Sequence, residues 1–114
     1  MDTRKELGKI QSVHFGIGGY QDAMLGISFT LGGNAWGVGT PHKGSWCPGI
    51  VDCSDHCKWT EADRSKSFDE AMRFIGETLR AAQVNDVSKL VGVPVEVEFE
   101  GNTLKSWRVL SEVL

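Results

Sequence analysis

Hydrophobic and polar positions alternate with a period of two over "MLGISFTLGG", where Leu25, Ile27, Phe29 and Leu31 alternate with Met24, Gly26, Ser28 and Thr30. A period of two puts one set of side chains on one face, so the stretch predicts a strand buried on one side. Upstream, "KIQSVHF" (Lys9 to Phe15) mixes β-branched and aromatic residues with polar ones and runs into "GIGGYQDA", which predicts a strand ending in a glycine-rich turn. Residues 1–8 read as a polar start outside the elements. Downstream, "GGN" predicts a hairpin-type turn and "AWGVG" (Ala35 to Gly39) a short third strand, its glycines leaving room for a close backbone or ligand approach.

The pattern then changes twice. Residues 40–59 have no clean period, two prolines and two glycines, which predicts a long loop. From Thr60 to Val84 the period becomes helical: Phe68, Met72, Ile75, Leu79 and Ala82 form one apolar stripe, widened by Ala71 and Phe74. Two start signals compete, Thr60 with Asp63 and Ser67 with Glu70. Gly76 in the interior suggests close packing there. Asn85 and Asp86 can end the helix and cap one extra turn, and Pro94 forbids continuation.

The last segment predicts a hairpin. Val93, Val95, Val97 and Phe99 alternate with Pro94, Glu96, Glu98 and Glu100, "EGNT" offers a tight turn, and the return strand places Arg108 opposite the glutamates. Either face of that return strand could point inward. The order β-β-β-loop-α-β-β predicts an α+β fold: a curved antiparallel sheet of about five strands with one long helix packed on one face.

Length and composition fit this picture. A chain of 114 residues with 40% hydrophobic and 24% charged residues is the size and make-up of one globular domain, residues 1–114. A net charge of -3 argues against nucleic acid as the main partner, since phosphate-binding domains usually carry a basic surplus. An acidic surface remains compatible with the basic groove of another protein. With no apolar run of membrane-spanning length and no signal-type start, the expected location is the cytoplasm, where thiols stay reduced.

The chemistry concentrates in "HKGSWCPGIVDCSDHCKW", which holds every cysteine of the chain and two of its three histidines. Cys47, Cys53 and Cys57, with His42 or His56, could supply four zinc ligands. Structural zinc sites usually start from two ligands two to four residues apart, repeated elsewhere, and this loop lacks the second pair. Reduced thiols packed by Trp46 and Trp59 are the favoured reading, with zinc or a disulfide as alternatives. Trp36, Trp46 and Trp59, with Tyr20 nearby, form either core or a binding surface, because tryptophan is enriched where interfaces concentrate their energy. "FGIGGYQDA" lacks the helix that a phosphate-cradling loop must open, and no HExxH, GxSxG or Walker-like motif is present. A non-catalytic protein is therefore expected.

The stretches "CKWTEADR" and "LVGVPVEVEFEGNTLKSWRVLSEVL" resemble a group of short proteins encoded by bacteriophages and prophages, mainly over residues 90–114. The resemblance implies a context in which small proteins bind a host protein and modulate or inhibit it, host defence components included. Two alternatives stand beside that expectation. One is a small-molecule or nucleotide-binding protein using the glycine-rich turn and tryptophan loop; the other is a zinc-stabilised domain or small zinc enzyme.

Overall fold

A computed structural model describes residues 2–114. Strands β1 (Thr3–Gly18), β2 (Met24–Gly33), β3 (Trp36–Gly39) and β4 (Lys43–Trp46) precede helix α1 (Glu61–Ala82), and strands β5 (Pro94–Glu100) and β6 (Thr103–Val109) follow it. All pairings are antiparallel, in the order β3-β2-β1-β5-β6, with β4 also on β2. The architecture is the α+β sheet with one packed helix that the pattern predicts.

Two boundaries differ from the sequence reading. The polar start is not outside the fold: β1 begins at Thr3, and its first half pairs with β5, Lys5 opposite Glu98 and Leu7 opposite Glu96. Its charges are tolerated because one face of this part of the sheet is solvated and acids stand across from it. Nor is 40–59 one loop, since Lys43–Trp46 forms the sixth strand. β3 and β4 are successive pieces of one edge strand, both paired to β2 and broken at Thr40, Pro41 and His42. Proline cannot donate to a ladder, which is why the break falls there. Thr40 bridges it: its hydroxyl accepts the Phe29 N–H at 2.9 Å and its own N–H donates to the Phe29 carbonyl at 2.8 Å.

The sheet curls around its apolar face. Phe29 on β2 and Trp107 on β6 are separated by two strands in the sheet order, yet their rings lie 5.2 Å apart, with Phe74 of α1 against both. Ile10, Ile27, Leu31, Leu90, Val95 and Val97 are fully buried beneath this cluster. Burying each such side chain stabilises the fold by about 1.5–3 kcal/mol. The open question on β6 is resolved by a bulge: Glu98 pairs with Ser106 but Phe99 with Leu104, so Lys105 is extra. That insertion turns Leu104, Trp107 and Val109 to the same inner side.

The helix starts at Thr60, not Ser67. Thr60 Oγ1 accepts the Asp63 N–H at 3.1 Å and the Asp63 carboxylate accepts the Thr60 N–H at 2.8 Å, a reciprocal cap. Asp86 caps the extra turn Val87–Lys89 as expected. The buried stripe runs through Ala71, Thr78 and Ala82, with Met72 left exposed at its flank. Gly76 has open space where a Cβ would stand, so close packing does not explain it.

Candidate functional site

Between Ile10 and Trp46 only Asp22 and Lys43 are charged, although charged residues make up 24% of the whole chain. These positions form the second half of β1, β2, β3 and β4. The sheet therefore has a charge-poor block, while β1's first half, β5 and β6 carry the acids and bases. This depletion is legible in the sequence as an absence over a long stretch, a signal that motif searching passes over.

The helix covers one face of the sheet. By strand alternation the other face of the charge-poor block carries Ser12, His14, Gly16, Gly18, Met24, Gly26, Ser28, Gly44 and Trp46. Small residues keep it low, and at Gly26 and Gly44 a side chain would strike the backbone of the opposite strand. Two larger groups shape it. His42 lies across β2, its Nδ1 3.1 Å from Ser28 Oγ and its Nε2 3.0 Å from the Gly16 carbonyl oxygen. A carbonyl only accepts, so Nε2 carries a proton and donates it to Gly16, while Nδ1 shares a hydrogen bond with the Ser28 hydroxyl, which can donate or accept. The His14 ring stands 5.5 Å from that of His42, its Nε2 2.9 Å from the Ile17 carbonyl oxygen.

At the end of the block the chain turns through Gly19, with φ of 68°, and a single 3-10 turn, Tyr20–Asp22. Tyr20 is two-thirds exposed and meets the edge of Trp46 at 6.0 Å. Residues 47–59 leave from the same corner, where the Cys47 N–H donates to the Ala23 carbonyl at 2.8 Å. Arg64 holds both ends of that loop. Only 4% exposed, it donates to the Trp46 carbonyl at 3.1 Å and to Glu61 at 2.7 Å, and its guanidinium lies 4.6 Å from the Trp59 ring. Trp46 and Trp59 thus anchor the loop through one buried cation.

The thiols divide. Cys53 donates to the Trp59 carbonyl at 3.0 Å, and Cys57 accepts the Ser54 N–H at 3.0 Å. The neighbouring Cys57 thiol, with desolvation by burial, pushes the Cys53 pKa up to about 11. Cys47 contacts the Pro48 carbonyl instead. Of the zinc candidates, His42 is engaged on the sheet and His56 is exposed. Among the described residues no three Cys, His, Asp or Glu side chains gather into a ligand group. The Cys53–Cys57 pair supplies half of a tetrahedral set.

Trp36 sits apart from the other aromatics. Its ring lies over Gly8 and Gly33 and meets Phe99 at 5.5 Å, extending the core past the helix. Of the four aromatic candidates, Tyr20 and Trp46 touch, Trp59 joins Trp46 through Arg64, and Trp36 stands with β5.

A cleft of about 390 Å³ opens where the edge strand breaks, lined by Thr40, Pro41, His42, Lys43, Phe74 and Trp107. Lys43 Nζ is 5.2 Å from the Phe74 ring centre. The cleft joins three elements distant in sequence, and the glycine-rich turn takes no part in it. Among the described residues no helix is long and apolar enough to cross a membrane. Comparison with protein-family models, curated proteins and solved structures finds no match.

Proposed function

We propose that the protein is a non-catalytic accessory protein that docks on another protein and modulates or inhibits it, through the charge-poor end of its sheet. The observation that carries this reading is the exposure of Tyr20, with Ile50 exposed on the neighbouring loop, beside a block nearly free of charge. Interface centres are depleted of charge and enriched in aromatic residues, and a tyrosine brings large contact area at low entropic cost. The matching partner surface is uncharged, with an apolar pocket for an aromatic ring. The likeness of residues 90–114 to phage-encoded proteins makes a bacterial host protein, host defence included, the partner class. Affinity capture from a bacterial extract tests it, comparing the wild-type chain with a Tyr20→Asp, Ile50→Asp variant of equal melting temperature. A protein held by the wild type and lost by the variant is expected; identical captures, or none, overturn the reading.

A second reading rests on the cleft at the broken edge strand. Its aromatic wall, with a lysine over Phe74, suits a flat anionic small molecule such as a nucleotide. Ligands of that class would raise the melting temperature by mass action, and Lys43→Met would reduce the shift. A panel of nucleotides that leaves the melting temperature unchanged removes this reading.

A further inference from the structure

β1 has two edges, and each is paired over only part of its length. β2 occupies one edge from Lys9 to Gly18, while β5 occupies the other only from Thr3 to Lys9. Ile10 closes the second pairing, donating to the Val93 carbonyl at 3.0 Å and accepting from the Gly92 N–H at 2.7 Å. From Gln11 to Gly18 that edge has no strand beside it among the described residues. The direction of its peptide groups follows from β2. Phe29 directs both its N–H and its carbonyl to Thr40, so by alternation Ser28 and Thr30 face β1 at His14 and Ser12. The peptide groups of Val13, Phe15 and Ile17 therefore point outward. Of these, the Ile17 carbonyl is met by the His14 ring, which is exposed and free to turn away.

Open edges in folded proteins are normally protected by charge, proline or irregularity. The other open edges of this sheet follow that rule, the Thr3–Gly8 stretch on the β2 side of β1 carrying Arg4, Lys5 and Glu6. The β3–β4 edge is interrupted at Pro41 and carries Lys43, and the β6 edge carries Arg108 and a bulge at Lys105. On the open β1 edge the single bulge, at Gln11, stands at its very start, and past it there is neither charge nor proline: no charged residue occurs from Ile10 to Tyr20. Phe15 is 56% exposed and Ile17 41% exposed on the helix side of the strand.

We infer that this edge binds a second copy of the chain, antiparallel about a two-fold axis at Phe15. The inference goes beyond the docking of a partner at Tyr20 and does not rest on it. Self-pairing is favoured by the segment's own symmetry. Phe15 falls opposite its counterpart, Val13 falls opposite Ile17, and on the other face the His14 ring falls opposite Gly16, which offers it space. No like charges meet, and apolar side chains meet apolar ones on one face. Each of the three outward-facing pairs can exchange two hydrogen bonds, giving a continuous sheet across the dimer.

Sedimentation equilibrium and amide hydrogen exchange test this on the full chain over a concentration series. The wild type should pass from monomer to dimer, with the Val13, Phe15 and Ile17 amides gaining protection as it does. Phe15→Lys places like charges across the axis, Ile17→Lys sets a charge against the partner's apolar Val13, and each should shift dissociation at least tenfold toward monomer, with circular dichroism unchanged. At least one of these exposed-site variants has to melt as the wild type does for the comparison to stand, and the wild-type exchange pattern decides independently of both. A wild-type monomer at every soluble concentration overturns the inference, including one whose edge pairs with a strand of another protein. A dimer that leaves the three amides unprotected overturns it as well. Partner capture through Tyr20 is read separately, on the monomeric variants.

Discussion

The imidazole of His42 crosses a whole strand to reach Gly16: leaving the broken edge beside β2, it passes over β2 and bonds the β1 carbonyl at 3.0 Å. With Nδ1 held by Ser28 at 3.1 Å, one side chain ties three strands together on the face that has no helix.

Removing that tie should therefore cost stability. His42→Ala deletes two partly buried hydrogen bonds and is expected to lower unfolding free energy by about 1–2 kcal/mol in urea titrations. His14→Ala, at an exposed site nearby, should cost under about 0.5 kcal/mol. Equal losses at the two positions would count against the bridging role.

Gly76 offers the opposite change. A methyl group there meets nothing within 4 Å, and glycine in a helix interior is unfavourable relative to alanine. Gly76→Ala should stabilise the protein by about 0.5–1 kcal/mol, read as a higher urea midpoint with an unchanged slope. A lower midpoint would mean that the helix needs its glycine.

Acid stability should depend on Glu112. The Arg108 guanidinium, which donates to both its oxygens and to Glu96, lowers the Glu112 pKa from 4.5 to about 2. A depressed carboxylate pKa contributes stability that is complete above 4.5 and disappears as pH falls toward 2. Melting temperatures of Glu112→Gln should fall less steeply than wild type across that window. Some slope will remain, because Ser88 also lowers the Asp86 pKa. Superimposable profiles would show that the pair contributes nothing.

Cys53 should differ in reactivity from Cys47. With its pKa near 11, Cys53 holds about a hundredfold less thiolate at pH 8 than an ordinary cysteine of pKa 9, offset in part by greater nucleophilicity. Peptide mapping after iodoacetamide should find Cys53 alkylated about tenfold more slowly than Cys47, and Cys57→Ala should speed it. The raised pKa also favours the native state below pH 9 and loses that effect as pH climbs through 11. Alkylation of Cys53 as fast as Cys47 would sink the proposed thiol pairing.

Local rules made much of the fold legible in the sequence. Period-two alternation over Met24–Gly33 and Pro94–Glu100, the Thr60 and Asp63 reciprocal cap, the Asp86 cap and the Glu100–Thr103 turn each depend on residues a few positions apart. The Arg108–Glu96 pair, at 3.2 Å, was legible too, since a tight hairpin sets its own register. Arg64, the group that joins Trp46 to Trp59 at the two ends of residues 47–59, gave no sign in the sequence.

What the tertiary structure alone decided involves partners far apart in the chain. Thr3–Lys9 is a strand because β5 stands beside it some ninety residues later, and no local period announces that. Trp36 parts from Trp46 because β3 and β4 pair with opposite ends of β2. The cleft at Lys43 and Phe74 exists because the sheet curls until β6 approaches the broken edge. Sequence periodicity selects which elements form, since backbone geometry repeats over a few residues. Which side chains meet, and which edge of β1 is left without a strand, is set by the pairing of distant segments and by the single face that one helix can cover.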